Sequence, residues 1–201
     1  MPASLSHVLV DFQSGIDSSV NLISAVKNLG INRIQLEIIT ELAFLRVFIA
    51  WENFLEGSFI RYSIGASSPS AYKPVVLVRP QNLGHASDLI FSGRDYVPWN
   101  SASEVINRSV VYFQDGEPYR RALEPAIVDL NDMNTIRNRI AHKSAKSKNQ
   151  FNHFIRRKYG HGISGMTPGR FLLAPAINSA PNTFLQYYLE VLRAASSLLV
   201  P

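Results

Sequence analysis

Residues 42–51 read LAFLRVFIAW, the most apolar stretch of the chain, and Arg46 is its only charged residue. Ten such residues are about half of what a membrane-spanning helix needs, so the stretch predicts a buried core helix and no membrane span. Asn32 is a suitable cap for a long helix that contains this stretch and reaches about residue 64. A helix that is apolar nearly all round belongs in the middle of a bundle, which predicts an all-α fold.

Four further helices are predicted around this central one, which gives an up-and-down bundle of about five helices. Gly30 ends the first helix, and Ser101 with Glu104 forms a capping-box pattern at the start of the third. Pro125 is a favoured first-turn residue for the fourth helix. The five predicted helices cover about residues 4–29 and 32–64, a segment that begins at residue 101, and residues 125–146 and 182–199.

Two long irregular inserts are predicted within the bundle, at about residues 65–100 and 147–181. The first contains four prolines, and its residues 75–78, VVLV, predict a lone short strand. The second is rich in Lys and Arg at first and in Gly and Pro later. The whole chain, residues 1–201, is predicted to be a single domain with these two inserts.

The composition fits one folded domain inside the cell. The chain has 201 residues, of which 46% are apolar and 17% charged, and this balance supports a packed core. There is no cysteine, which excludes disulfides, thiolate metal sites and a cysteine nucleophile. The first ten residues lack the basic and apolar regions of a secretory signal. We therefore expect a cytoplasmic protein.

Positive charge is concentrated in one part of the sequence. Nine basic residues lie between Arg137 and Arg170, and no Asp or Glu occurs between Asp132 and Glu190. Such a segment favours a polyanionic partner, here RNA, although a solvated basic loop is the alternative. The residues expected to contact RNA are Arg139, Lys143, Lys146, Lys148, Arg156, Arg157 and Lys158.

The segment most informative about chemistry is residues 134–142, NTIRNRIAH. On a helix, Asn134, Arg137, Asn138 and His142 fall within an arc of about 140°. Asn138 and His142 are one turn apart, so the amide can orient the imidazole. This predicts a polar face that presents a fixed cation, an amide and a titratable base.

These residue types suit cleavage of a phosphodiester in RNA. An imidazole exchanges protons near neutral pH, and a guanidinium holds a phosphate by two hydrogen bonds. RNA supplies its own nucleophile, the 2′-hydroxyl, so no metal or other cofactor is expected. The alternative is structural, with His142 satisfying a buried carbonyl and Arg137 in an ion pair.

The run Arg137-Asn138-x-Ile140-Ala141-His142 resembles the signature of HEPN (higher eukaryotes and prokaryotes nucleotide-binding) domains. That signature is an Arg, four to six residues and a His, with a frequent Asn after the Arg. The likeness extends to the two long leading helices, to the acidic-aromatic residues 51–56, WENFLE, and to the closing helix. It is closest to the stand-alone bacterial toxin or defence type.

This resemblance implies a metal-independent endoribonuclease that acts as a homodimer, with Arg and His from both subunits in one cleft. Arg137 would bind the phosphate, His142 would transfer protons and Asn138 would position them. Products would end in a 2′,3′-cyclic phosphate, and a role as a toxin or in anti-phage defence would bring an antitoxin or defence-system partner protein. Ser144 stands where some HEPN toxins carry a Tyr that a partner modifies, so that mode of control is not expected.

Other expectations remain open beside this one. Glu52, four residues before Glu56, and Asn134 are candidates to support the catalytic residues from outside the cleft. A non-catalytic HEPN module that binds RNA or nucleotide, or docks on a partner protein, is the second hypothesis, and a purely structural helical protein is the third. The spacings of His142, His153 and His161 match no metal-ligand pattern and no Asp or Glu lies among them, so no metal site is predicted.

Overall fold

A computed structural model of the chain describes residues 4–93, 97–176 and 182–201. These residues form nine α-helices and one 3₁₀ helix, and no strand occurs among them, so the predicted all-α class is confirmed. The helices are α1 (Leu5–Asn28), α2 (Arg33–Ser63), α3 (Leu83–Phe91), α4 (Ala102–Tyr112), α5 (Tyr119–Leu123), α6 (Ile127–Ala141), α7 (Ala145–Tyr159), α8 (Pro168–Leu173) and α9 (Phe184–Leu199), with the 3₁₀ helix at Gln114–Gly116.

Helix α2 lies at the centre of the fold, as its apolar composition predicts. Its 31 residues give a helix about 46 Å long, and α1, α6 and α8 pack against it. Phe44, Phe48, Trp51 and Phe59 are almost completely buried along it. Within the described residues, none of the helices has the length and apolar character needed to cross a bilayer.

Local capping explains why several helices begin where the sequence predicts. Ser4, Asn32, Ser101 and Thr183 each cap a helix through the side chain, which accepts the backbone N–H three residues later. These caps satisfy N–H groups that have no partner inside the helix. The predicted bounds of α1, α2 and α9 agree with the structure to within two residues.

The predicted insert 65–100 is only partly irregular. It contains α3, which begins after Asn82, whose side chain accepts the N–H of His85 at 2.9 Å. The predicted strand at residues 75–78 is wrong, because Val76 makes only an isolated antiparallel bridge to Phe113. Residues 94–96 of this insert lie outside the described residues.

The predicted irregular insert 147–181 is mostly wrong, because it contains nearly all of α7 and the whole of α8. Lys, Arg and Gln are good helix formers, and Phe151, Phe154 and Ile155 bury one side of α7 at helical spacing. Residues 177–181 of this insert lie outside the described residues.

The predicted helix 125–146 is two helices in the structure. Helix α6 ends at Ala141, the chain turns, and Ser144 caps α7. Because of this break, and because α3, α5 and α8 are additional, the described residues form more helices than the predicted number of about five. The consequence for the candidate site is that His142 lies in a corner between two helices.

Candidate functional site

The structure brings Arg137 of α6 against Glu52 of α2. Arg137 Nε lies 3.3 Å from Glu52 Oε1, and the two side chains are only 19% and 13% exposed. Neither atom makes a well-aligned hydrogen bond within the described residues, so this is a close charge contact fixed by the packing of α6 on α2. Burial raises the pKa of Glu52, and the Arg137 charge offsets part of that rise.

A chain of amides extends from the other side of the Arg137 guanidinium. Asn138 Oδ1 accepts from Arg137 Nη1 at 3.3 Å, and Asn138 Nδ2 donates to Asn134 Oδ1 at 3.3 Å. The same Asn134 oxygen accepts from Nδ2 of Asn100 at 3.2 Å. Together with Glu52, this chain limits rotation of the guanidinium. The sequence pattern missed Asn100, because no local signal brings it near α6.

His142 is the first residue after α6. Its backbone is extended (φ −125°, ψ 116°), its N–H donates to the Asn138 carbonyl at 3.0 Å, and its side chain is exposed. The expectation that His142 lies on the helix, oriented by the Asn138 amide, is therefore wrong. That amide is engaged by Arg137 and Asn134 instead. The exposed imidazole of His142 makes no hydrogen bond within the described residues.

Two serines, for which no structural role was predicted, hold this corner. Ser144 caps α7 by accepting the N–H of Ser147 at 3.2 Å. The buried Ser147 hydroxyl contacts the carbonyl oxygen of His142 and lies 3.0 Å from that of Ser144. The Ser-x-x-Ser spacing of a helix cap was the signal in the sequence.

Six of the seven predicted RNA-binding cations divide into two groups. Four of these are exposed and form no ion pair within the described residues: Lys143, Lys146, Lys148 and Arg156. Arg157 and Lys158 instead form ion pairs with Asp132, whose side chain is completely buried, and Lys158 Nζ lies 2.7 Å from Asp132 Oδ2. These two cations therefore hold α7 against α6, although most of the Arg157 side chain stays in solvent.

Arg139 is directed away from the Arg137 cluster. Its side chain is half-buried. Burial raises the pKa of Glu41 on α2, and the positive charge of Arg139 offsets part of that rise. Glu41 also accepts the Gly169 N–H at 2.8 Å. Arg139 thus lies at the contact between α6, α2 and α8, and the sequence pattern gave no sign of this position.

The site as a whole offers an anchored guanidinium, three amides and an exposed imidazole beside a basic helix. Such groups can bind a phosphodiester and move protons at it. Among the described residues no cluster of three or more His, Asp or Glu is arranged to hold a metal ion. Neither a protein-family profile nor a curated protein nor a solved structure matches this chain.

Proposed function

We propose that this chain is a HEPN-type, metal-independent endoribonuclease with a HEPN-like bundle as a single domain, acting on RNA in the cytoplasm. The observation that carries the proposal is the anchoring of Arg137 by Glu52 and Asn138, close in sequence to the exposed His142. A partly buried arginine that served only to neutralise Glu52 would not need a chain of three amides on its other side.

In the proposed reaction the 2′-hydroxyl oxygen of one nucleotide attacks the adjacent phosphorus. The O2′–P bond forms, the P–O5′ bond breaks, and the products are a 2′,3′-cyclic phosphate and a free 5′-hydroxyl. His142 takes the 2′-hydroxyl proton or supplies the proton to O5′, and Arg137 stabilises the charge that builds up on the phosphoryl oxygens. Within the described residues, Arg137 Nη2 has no side-chain partner and is available for this contact.

A homodimer would complete the acid–base pair, with one His142 as base and the partner copy's as acid. A stripe of exposed apolar side chains on α2 supports such an assembly: Ile34, Ile38, Leu42 and Ile49 are 44–71% exposed. The stripe runs along α2 towards Glu52, which follows Ile49 by three residues. A two-fold contact over it would enclose the site, and the interface is proposed to include α6 as well.

The toxin or anti-phage role, with an antitoxin or defence-system partner, rests on the resemblance of residues 137–142 alone.

One observation favours the second candidate function, a non-catalytic module that binds RNA or nucleotide. The His142 imidazole makes no hydrogen bond within the described residues, and an unoriented base is a poor catalyst. Binding of RNA by Arg137 and the exposed cations does not require an oriented His142 imidazole.

The test is incubation of the purified protein with RNA, with and without EDTA, followed by analysis of the new ends. Cleavage should persist in EDTA and leave 2′,3′-cyclic phosphates. His142→Ala should lower the rate about 10²–10⁴-fold and Arg137→Ala about 10²–10³-fold. His153→Ala, which removes another exposed histidine, should leave the rate unchanged.

Arg137→Ala also leaves Glu52 without its counter-charge, so its activity is compared only under conditions where circular dichroism shows a folded protein. Cutting at a site that carries a 2′-deoxy sugar would exclude the mechanism. Full activity of His142→Ala would exclude the assignment of the base, and binding without any cleavage by the wild type would favour the non-catalytic module.

A further inference from the structure

A cavity of about 500 Å³ lies between α7 and the glycine-rich segment that follows it. One side is a single face of α7, where Lys148, Asn152 and Arg156 follow each other at four-residue intervals. The other side is residues 162–166, GISGM, which contribute two glycines, one serine and the apolar side chains of Ile163 and Met166. Its first lining residue, Lys148, follows His142 by six positions, and no residue of the Arg137 cluster lines the cavity.

The lining of the cavity is suited to a phosphate group. Two cations and one amide line it, and no carboxylate does. Along α7 these three side chains are spaced by about 6 Å, comparable to adjacent phosphates of an extended strand. The loop backbone at Gly162 passes close to Arg156, since a Cβ there would be in ordinary contact with the guanidinium Nε, at 3.4 Å. Gly162, Ser164 and Gly165 of this loop are exposed.

The acidic residues near this region are already engaged elsewhere. Glu37 accepts the Thr167 hydroxyl at 2.7 Å, and Glu41 accepts the Gly169 N–H at 2.8 Å, both at the start of α8. On the other side of α7, Asp132 holds Arg157 and Lys158. Helix α7 thus has one cationic face neutralised by the protein and another, formed by Lys148 and Arg156, that no carboxylate of the described residues pairs with.

We propose that this cavity binds two backbone phosphates of single-stranded RNA, one at Lys148 and one at Arg156, with Asn152 supplying a hydrogen bond between them. The identity of the polymer rests on the proposed function, whereas the phosphate chemistry rests on the cavity itself. In this arrangement the RNA strand lies along α7. It extends from the corner between α6 and α7, where it is cut, to the cavity at Lys148 and Arg156.

The experiment measures binding of a fully 2′-O-methylated RNA oligonucleotide, which cannot be cleaved, by fluorescence anisotropy over a range of salt concentrations. Asn152→Asp puts a carboxylate between the two cations and should weaken binding at least about tenfold, the effect of one lost charge-assisted contact. Gln150→Glu is the matched control: it makes the same charge change on the same exposed helix, about 160° away around the axis, and should change affinity less than about threefold.

The salt dependence gives a second, independent readout. Lys148→Gln combined with Arg156→Gln should lower the slope of log affinity against log salt by about 1.4, because each phosphate contact on a single strand contributes about 0.7. Lys73→Gln combined with Arg79→Gln removes the same charge from an exposed segment far along the chain and should leave the slope unchanged. Equal effects of the two double variants, or of the two single ones, would overturn the proposal.

Two further outcomes separate this inference from the proposed activity. If the wild type cuts no RNA but the cavity variants lose binding, the proposed ribonuclease fails and the phosphate site stands. If the wild type cuts RNA while the cavity variants bind and cut normally, the site fails and the activity stands. A nucleoside monophosphate that binds as tightly as the oligonucleotide would mark the cavity as a small-ligand site and overturn the RNA assignment.

Discussion

At the scale of single residues, Glu52 and Arg137 depend on each other. Glu52 has lost much of its hydration, and Arg137 supplies the counter-charge that makes its ionised form tolerable. The guanidinium in turn is oriented by Asn138. A lysine would keep the charge at position 137 but lose this planar geometry, so the two basic residues are not interchangeable there.

The raised pKa of Glu52 predicts how stability changes with pH. In the folded protein this carboxyl holds its proton to a higher pH than in the unfolded chain, where its pKa is about 4.3. The free energy of unfolding should therefore fall as pH rises above about 4.3, through the folded pKa. Glu52→Gln removes this contribution, so the difference in unfolding free energy between pH 4 and pH 7, measured with urea, should shift in favour of pH 7.

Arg137→Ala provides a control with the opposite sign. Without the arginine charge, the pKa of Glu52 rises further, and the loss of stability between pH 4 and pH 7 should become larger than in the wild type. A pH profile that is the same in Glu52→Gln and in the wild type would show that this carboxyl is not perturbed.

At the scale of elements, α8 lies so close to α2 that Gly169 has no room for a side chain. A Cβ at this position would lie 2.3 Å from the Glu37 carbonyl oxygen. Gly169→Ala must push the two helices apart, and we expect a loss of about 1–3 kcal/mol in the free energy of unfolding. Urea denaturation followed by circular dichroism measures this change.

Gly15→Ala is the matched control for that substitution. Gly15 lies inside α1, and a Cβ there would meet no atom within 4 Å. The substitution should stabilise the protein by about 0.5–1 kcal/mol, because alanine loses less backbone entropy in a helix than glycine. Equal effects of the two substitutions would show that the close approach of α8 to α2 is not tight.

The elements that the sequence predicted well are those set by local signals. Helices α1, α2 and α9 have side-chain caps and clear apolar periodicity, and both are visible in short windows of sequence. Helix α7 was missed because its many Lys and Arg residues concealed three buried apolar ones. The end of α6 was misplaced because Ser144 and Ser147 turn the chain just where the apolar pattern of α6 still fits a helix.

The sequence allowed us to name most residues of the candidate site, but it did not allow us to predict the contacts between them. Arg137, Asn138 and Asn134 belong to one short motif, and Glu52 was a candidate because an acidic residue lay in the central helix. The contact between Glu52 and Arg137 spans 85 positions, and that of Asn100 with Asn134 spans 34. Tertiary packing decides such contacts, and no local pattern specifies them.

At the scale of the whole molecule, the apolar stripe on α2 predicts self-association. Leu42→Glu places a charge in the middle of this stripe and should shift the protein from dimer towards monomer in light scattering at micromolar concentrations. Val111→Glu is the control, because Val111 on α4 is exposed to the same extent, 60%, outside the stripe. A strict monomer for the wild type, or dimers unaffected by Leu42→Glu, would contradict the prediction.

The contact between α8 and α2 also has a consequence for the order in which the protein assembles. The hydrogen bond from Thr167 to Glu37 joins residues 130 positions apart, and closing so long a loop costs roughly 4 kcal/mol of chain entropy. Helices α1 and α2 are joined by a short turn, so we expect this hairpin to form early and α8 to dock late. The cavity between α7 and residues 162–166 borders the segment that leads into α8, so on the ribosome this cavity can assemble only after that segment has been made.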